Sequence, residues 1–354
     1  MLNDAAPVPP DRGRPRVGTG SRNRGKPPRL ELCRPDIDPG VDFATSLPEL
    51  TEPIPILPGI EPLPDVCELS VAQGQAAWLT CKCPGKPGDN EDAVTAIPSG
   101  PEQGLLMVAD GLGGHRGGRR ASQLIKSQLR RAAQQFVASG QSRSVIISGI
   151  VPVPCQSAGR NRPISQDHRA FILNEIERVN QRLLRSRIGS ATTLALIEIQ
   201  GRRVRSYHVG DSEILIVSQR GRLKYSSVSH SPIGYAVESG LLTEEEALFH
   251  PDRHLVSNVI GSDQMSVELG PWMTLSPRDT VLLASDGLFD NLLLGEIVAG
   301  IRKGKLAGCV RSLAELARSR MLVPGLDSPS KPDDLSILAY RCGSSSPRPI
   351  ESLH

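Results

Sequence analysis

Acidic residues stand at the ends of five apolar runs. Asp110 follows Leu105-Leu-Met-Val-Ala109, Asp211 follows Tyr207-His-Val-Gly210, and Asp286 follows Val281-Leu-Leu-Ala-Ser285. Asp92 precedes Ala93-Val-Thr-Ala-Ile97, and the pair Asp333 and Asp334 precedes Leu335-Ser-Ile-Leu-Ala-Tyr340. In an antiparallel sheet the end of one strand lies beside the start of its neighbour, so these positions can converge on one rim. Carboxylates held that close repel and take up protons unless cations compensate them. An all-oxygen ligand set, with no His or Cys, suits the hard ions Mg2+ or Mn2+. A single acid at a strand end is usually a turn residue; the set carries the inference.

The elements that must position these acids can be read in outline. Gly104–Ala109 reads as a buried strand that runs into a Gly-rich turn, and Arg119–Val137 has helical apolar spacing through Ala121, Ile125, Leu129 and Ala133. A second amphipathic helix is expected from about His168 to Arg185. Strands follow over Ala191–Gln200, Val204–Val209 and Ile214–Gln219, the last forming a hairpin with Leu223–Ser226 across Arg220-Gly221. A short helix is expected over Thr243–Phe249, strands over Thr280–Ala284 and Leu335–Arg341, and a helix between them over Val310–Met321. Helices grouped with helices and strands with strands argue for α+β with antiparallel sheets.

Composition narrows the class. The 354 residues carry 41 Lys+Arg against 38 Asp+Glu, a net of +3, too even a balance to mark a nucleic-acid or anionic-lipid binder. Aromatic residues at 3% are too sparse for a base-stacking platform, and no apolar run nears the ~18 residues of a membrane span. The first residues show no secretory pattern. Seven scattered cysteines suit reduced thiols in a cytoplasmic protein; Cys67, Cys81 and Cys83 lack the paired spacing and the fourth ligand of a zinc site. Fourteen of the 30 prolines lie in residues 1–66, where Phe43 is the one aromatic. That stretch is expected to be a disordered arm, with 67–342 the folded domain and 343–354 a disordered tail. The Ser/Arg/Pro-rich stretch 139–167 is expected to be a long loop.

The most unusual local feature is Asp110-Gly-Leu-Gly-Gly-His-Arg-Gly-Gly118. A strand, a Gly-rich turn and a helix also describe a dinucleotide site, but no GxGxxG is present and Asp110 would face a pyrophosphate. Glycine here leaves the backbone free to approach a metal or phosphate. Taken in order with Asn90-Glu91-Asp92, Asn180, Gly189-Ser-Ala-Thr-Thr193, Val209-Gly-Asp-Ser212, His250-Pro-Asp-Arg-His254, Val259-Ile-Gly261, Ser285-Asp-Gly-Leu288 and Asp333-Asp-Leu-Ser336, it resembles the motif series of the metal-dependent protein phosphatases of the 2C type, in their bacterial form. The series spans Asn90 to about Arg341.

The resemblance implies a four-layer α-β-β-α sandwich, two antiparallel sheets flanked by helices, with a two-metal site on one rim. It implies that Asp110 bridges two Mn2+ or Mg2+ ions, that Asp286 and Asp333 complete one shell, and that the Gly111 carbonyl serves the other ion with Glu91 and Asp92 holding its waters. Asp211 matches the position of a third, weaker ion in bacterial members. The implied activity is hydrolysis of phosphoserine and phosphothreonine in proteins, the substrates of a Ser/Thr kinase, by a cytoplasmic monomer with no nucleic-acid or membrane partner. Residues 231–249 correspond to the family's flap. Three departures bear on substrate grip: Pro87 stands where the family places a phosphate-binding Arg, with Lys86 beside it as a candidate substitute; Glu213 replaces the Arg of GDSR; Ser229 replaces the Asp before His230-Ser231. They support an alternative, a catalytically weak module of the same fold that binds phosphoproteins or a partner.

Overall fold

A strand that is apolar on both faces needs cover on both, and several runs here have that character. In the computed structural model, which describes residues 61–112, 117–138, 164–325 and 328–343, that cover is a second sheet on one side and helices on the other. The expected arm up to residue 60, most of the 139–167 loop, His115 and the tail beyond 343 lie outside the described residues.

The chain forms β1 (Cys67–Val71), β2 (Gly74–Cys81), β3 (Ala93–Pro98), β4 (Gln103–Ala109), the two-residue β5 (Gly111–Leu112) and helix α1 (Gly117–Ala138). Helix α2 (Ile164–Ser186) precedes β6 (Ala191–Thr192), β7 (Leu194–Gln200), β8 (Arg203–Val209), β9 (Glu213–Val217) and β10 (Leu223–Ser226). Short helices α3 (Pro232–Glu238) and α4 (Glu244–Leu248) lead through the small strands β11 (Glu268–Leu269) and β12 (Met273–Thr274) to β13 (Thr280–Ala284). Helices α5 (Asp286–Phe289), α6 (Leu294–Ile301) and α7 (Leu306–Leu322) precede the last strand, β14 (Leu335–Cys342).

One sheet has the order β1-β2-β14-β13-β9-β10 and the other β11-β8-β7-β4-β3, with β12 also on β8; the pairings are antiparallel. Three apolar layers separate four structural ones. Val94, Leu106, Ile197, Val281, Leu283 and Tyr340 fill the space between the sheets. Leu282, Ala284, Ile337 and Ala339 of the first sheet meet Ile297, Val310, Leu313 and Ala317 of α6 and α7. Leu105, Met107 and Leu196 of the second meet Ala121, Ile125 and Leu129 of α1 and Ile172 and Ile176 of α2. Alternate residues of β4 and β13 thus enter different layers. This explains why these strands read as continuous apolar runs instead of the alternating pattern of a half-solvated sheet. Each such side chain contributes roughly 1.5–3 kcal/mol on burial. The four-layer α-β-β-α arrangement is the one expected. Among the described residues no helix is long and apolar enough to cross a membrane.

Two expectations are corrected. The strand expected over 191–200 divides at Thr193, because the Thr193 N–H and hydroxyl turn to the backbone of Asp110 instead of continuing a ladder. The 231–249 segment holds two helices where one was expected: Ser231, whose hydroxyl accepts from the Gly234 N–H at 2.8 Å, caps α3, and Pro232 follows it at a first-turn position.

The outer face of β7 carries one buried charge. Glu198 accepts from His168 Nδ1 at 2.6 Å, from Arg205 at 2.7 and 3.2 Å and from the Tyr207 hydroxyl at 2.7 Å. Burial alone would raise its pKa, but the bonds from His168, Tyr207 and Arg205 outweigh it and hold the carboxyl below its ordinary value. Glu198→Ala strands Arg205 and Tyr207 in a dry layer. It is expected to cost roughly 3–5 kcal/mol of unfolding free energy in urea; a loss under about 1 kcal/mol would mean that the network carries no stability.

Candidate metal centre

The β3–β4 register sets Ala93 opposite Ala109, so Asp92 falls across from Asp110. The β13–β14 register sets Ala284 opposite Ile337, bringing the start of α5 beside the turn that carries Asp333 and Asp334. Asp110, Asp92, Asp286, Asp211 and Asp333 come within electrostatic reach of one another at a shared rim of the two sheets. Burial is the main cause of high carboxyl pKa values there. Burial and the charges of Asp334 and Asp286 push Asp92 up to about 7, and burial with Asp286 does the same for Asp333. Asp110 and Asp211 rise well above the carboxylate range, first by burial and then by neighbouring acids.

The local sequence explains the scaffold. The Asp110 N–H donates to Thr193 Oγ1 at 2.9 Å, and the Asp110 carbonyl accepts from Thr192 Oγ1 at 2.7 Å and from the Thr193 N–H at 2.9 Å. Thr193 Oγ1 lies 2.7 Å from Ser212 Oγ, tying that platform to the turn carrying Asp211. Asn180 reaches from α2 to the Gly261 N–H at 2.7 Å, and Ile260 pairs with Thr192. Ser285 donates to Asp92 Oδ2 at 2.8 Å. Gly111 and Gly118 touch backbone to backbone: a Cβ on either would lie 2.3 Å from the other's main chain, so the Gly111 carbonyl is held where no side chain crowds it.

Asp333 and Asp334 part company. Asp334 accepts from the Cys83 and Glu91 N–H groups at 2.7 and 2.8 Å and from Lys86 Nζ at 2.8 Å, a structural role. Lys86 also donates to Glu91 at 2.9 Å, so its ammonium is committed to two carboxylates; the expectation that it substitutes for a phosphate-binding Arg is corrected on that ground. Burial pushes the thiols of Cys81 and Cys83 up to about 12 and about 11, which keeps them protonated.

Several contacts at the site were not legible in the sequence. Lys331 Nζ lies 2.5 Å from Asp286 Oδ2, 2.6 Å from Asp290 Oδ2 and 3.7 Å from Asp333 Oδ2. Asp290 is one helical turn beyond Asp286, the only local hint of its presence. Behind the Gly210–Ser212 turn, His208, His230 and Glu268 bring ligand-type atoms within 4.8 Å of one another. His230 Nδ1 faces the Gly210 N–H at 3.1 Å and the Asn258 amide at 3.0 Å, so the neutral ring carries its proton on Nε2 and donates to Glu268 at 3.0 Å. His208 Nε2 donates to the Ser212 carbonyl at 2.8 Å. This arrangement braces the Asp211 turn, and the His230 tautomer is wrong for a metal ligand.

The residues fit a hard divalent cation by an observation of this structure. Glu91 Oε1, Asp92 Oδ1, Asp211 Oδ1 and Asp286 Oδ1 are buried oxygens with no hydrogen-bond donor among the described residues, a cost that proteins rarely bear without a ligand. The donor set is carboxylate and carbonyl oxygen alone. Beside it, a cavity of about 320 Å³ opens between α3–α4 and α5–α6, with Asp211 and Asp286 on one wall and Ile233, Val237, Leu248 and Phe289 on another.

The profile of the protein phosphatase 2C family matches residues 87–317. A "putative protein phosphatase 2C-type" of Streptococcus pyogenes serotype M6 is 28% identical over 216 residues, 60% of this chain and 78% of that protein. The serine/threonine protein phosphatase PstP of Mycobacterium tuberculosis is 27% identical over 232 residues, 65% of this chain and 39% of PstP. The solved serine/threonine phosphatase of S. agalactiae superposes with a TM-score of 0.58 at 25% identity, covering 76% of this chain and 99% of its own. The catalytic domain of PstP, solved with two manganese ions, shares the fold with a TM-score of 0.54 at 22% identity, over 76% of this chain and 98% of its own.

Proposed function

The chain belongs to the protein phosphatase 2C family, and from that premise we propose that it is a Mn2+- or Mg2+-dependent phosphatase acting on phosphoserine and phosphothreonine in proteins. The observation that carries the reading is the group of buried carboxylate oxygens left without donors at one rim. Asp110, Asp286 and Asp333 would hold one side of the metal centre, and Asp92 with the Gly111 carbonyl the other. Divalent cations bound there supply Lewis acidity, lowering the pKa of water and neutralising charge on a phosphoryl group.

The chain's own contribution is placement. The Thr192–Thr193 platform fixes the backbone of Asp110, Ser285 orients Asp92, and Asp334 with Lys86 anchors the Asn90–Asp92 turn. Because these donors and acceptors are set before substrate arrives, no reorganisation is needed during reaction. The cavity beside Asp211 and Asp286 is the place for a residue flanking the phosphorylated side chain, and 231–249 serves as the flap over it. We take 67–342 as the phosphatase domain, with the arm 1–66 and the tail 343–354 outside it. The protein is read as a cytoplasmic monomer in signalling opposite a Ser/Thr kinase, with no nucleic-acid or membrane partner. The binding-module alternative is not favoured, since Pro87, Glu213 and Ser229 replace none of the proposed ligands.

The test is hydrolysis of a phosphothreonine peptide by the full chain with Mn2+ and with chelator; turnover that is indifferent to chelator overturns the reading. Pro87 supplies a second measurement. Pro87→Arg is expected to lower KM for that peptide roughly tenfold, since a hydrogen bond to a charged group contributes ~1.5–3 kcal/mol. An unchanged KM would show that phosphate is gripped elsewhere.

A further inference from the structure

We propose that Lys331 is a built-in cation of the metal centre, its ammonium taking the charge-compensating place between Asp286 and Asp290, so that this chain retains two divalent cations and excludes a third at Asp211. The inference rests on the metal-centre reading above. It concerns a residue which that reading does not use.

The geometry is that of a prepared site. The Lys331 ammonium touches Asp286 and Asp290 at 2.5 and 2.6 Å, with Asp333 at 3.7 Å. Its side chain is 18% exposed, which is unusual for a lysine unless it is paired. The backbone that carries it is clamped. The Lys331 N–H donates to Asn291 Oδ1 at 2.8 Å, and the Lys331 carbonyl accepts from Asn291 Nδ2 at 2.9 Å. Asn291 is fully buried and also holds the Gly287 carbonyl in α5. One residue back, the Ser330 carbonyl accepts from Arg253 at 2.7 Å, and its hydroxyl donates to the Arg320 carbonyl at 2.8 Å. Asn291 therefore fixes the Lys331 backbone to the end of the short helix that carries Asp286, with Asp290 as its C-cap.

Asp211, Asp286 and Asp290 line one cavity, so a cation recruited by Asp211 would draw its further oxygens from Asp286 and Asp290, the two acids that Lys331 already pairs. A tethered ammonium there satisfies the same oxygens without the entropy of capturing a free ion. It also opposes a divalent cation by like charge.

The experiment counts Mn2+ bound per full-length chain, by calorimetric titration and by the electron paramagnetic resonance signal of free Mn2+, in the unaltered protein and in Lys331→Met, Lys331→Arg and Lys331→Met/Asp211→Asn. The unaltered protein and Lys331→Arg are expected to bind two ions. Lys331→Met is expected to gain a third, or to bind its weakest ion at least about tenfold more tightly, because one positive charge a few ångströms away is worth more than the ~1.4 kcal/mol of a tenfold change. Asp211→Asn should abolish that gain. Circular dichroism melting with Mn2+ present confirms that each variant is folded. Three ions in the unaltered protein, or equal stoichiometry and affinity in Lys331→Met, overturns the inference, as does binding of no Mn2+ at all. A chain that binds two ions yet hydrolyses no phosphopeptide would sink the phosphatase reading and leave this one standing.

Discussion

Asp286→Asn is expected to reduce turnover of a phosphothreonine peptide roughly a thousandfold, the equivalent of ~4 kcal/mol of transition-state stabilisation, in a protein that stays folded. The amide keeps the shape of the carboxylate but loses its charge and one lone-pair oxygen, so a hard cation is held far less well. The fold has little stake in this side chain. Asp286 projects from the first turn of α5 into the polar rim, whereas Leu288 from the same helix enters the apolar layer, and Lys331 keeps Asp290 as a partner. Asp110→Asn should behave in the same way, because the Thr192–Thr193 platform grips its backbone and not its carboxylate. The measurement is steady-state hydrolysis beside a urea melt. Full activity in both variants would remove the proposed ligand set.

Mn2+ should stabilise the protein much more at pH 8 than at pH 5. Burial chiefly, and then the charge of Asp286 (joined by Asp334 for Asp92 and Asp333), raises Asp92 and Asp333 to about 7 in the fold and Asp290 to about 6, against an ordinary 3.8. A carboxyl whose folded pKa is raised contributes stability that is present in full below its unfolded value and lost as pH rises through its folded value. The metal-free protein therefore loses this contribution between about pH 4 and pH 7. Cations replace the protons, so binding releases them and strengthens up to about pH 7.

Two other groups pull the opposite way. His208, buried and held below 6.5, costs stability as pH falls through that unfolded value. Glu268, held down to about 2 by the His208 and His230 rings beside it, costs it only below about 4.5. Both act with and without metal, so the comparison at each pH cancels them. At a hundred times the dissociation constant a ligand adds ~2.7 kcal/mol, or roughly 5–10 °C in Tm for a domain of this size. Melts in EDTA and in Mn2+ at both pH values test the prediction, and a larger metal-dependent shift at pH 5 would refute it.

The family, the two-sheet architecture and the main run of elements were legible in the sequence because their signals are local. Thr280–Ala284 reads as a strand from five consecutive buried residues, and α1 from apolar positions four apart. The acids were legible as a set because each follows or precedes such a run. Other features had only local meaning until the chain folded. Asp333 and Asp334 are indistinguishable in sequence, yet only Asp334 meets the backbone of Cys83 and Glu91. Lys86 reads as a free charge beside Pro87 and is tied to a carboxylate 248 residues away. Lys331 precedes Asp333 with no motif to mark it, and its partners lie 45 and 41 residues back. His208, His230 and Glu268 sit on separate segments. The sequence by itself determined which residues can form strands and helices and which oxygens are available at their ends. Which carboxylate faces an ammonium, which faces a backbone N–H and which is left for a cation was decided only by tertiary structure, because those contacts depend on strand register and on loops that approach from opposite ends of the chain.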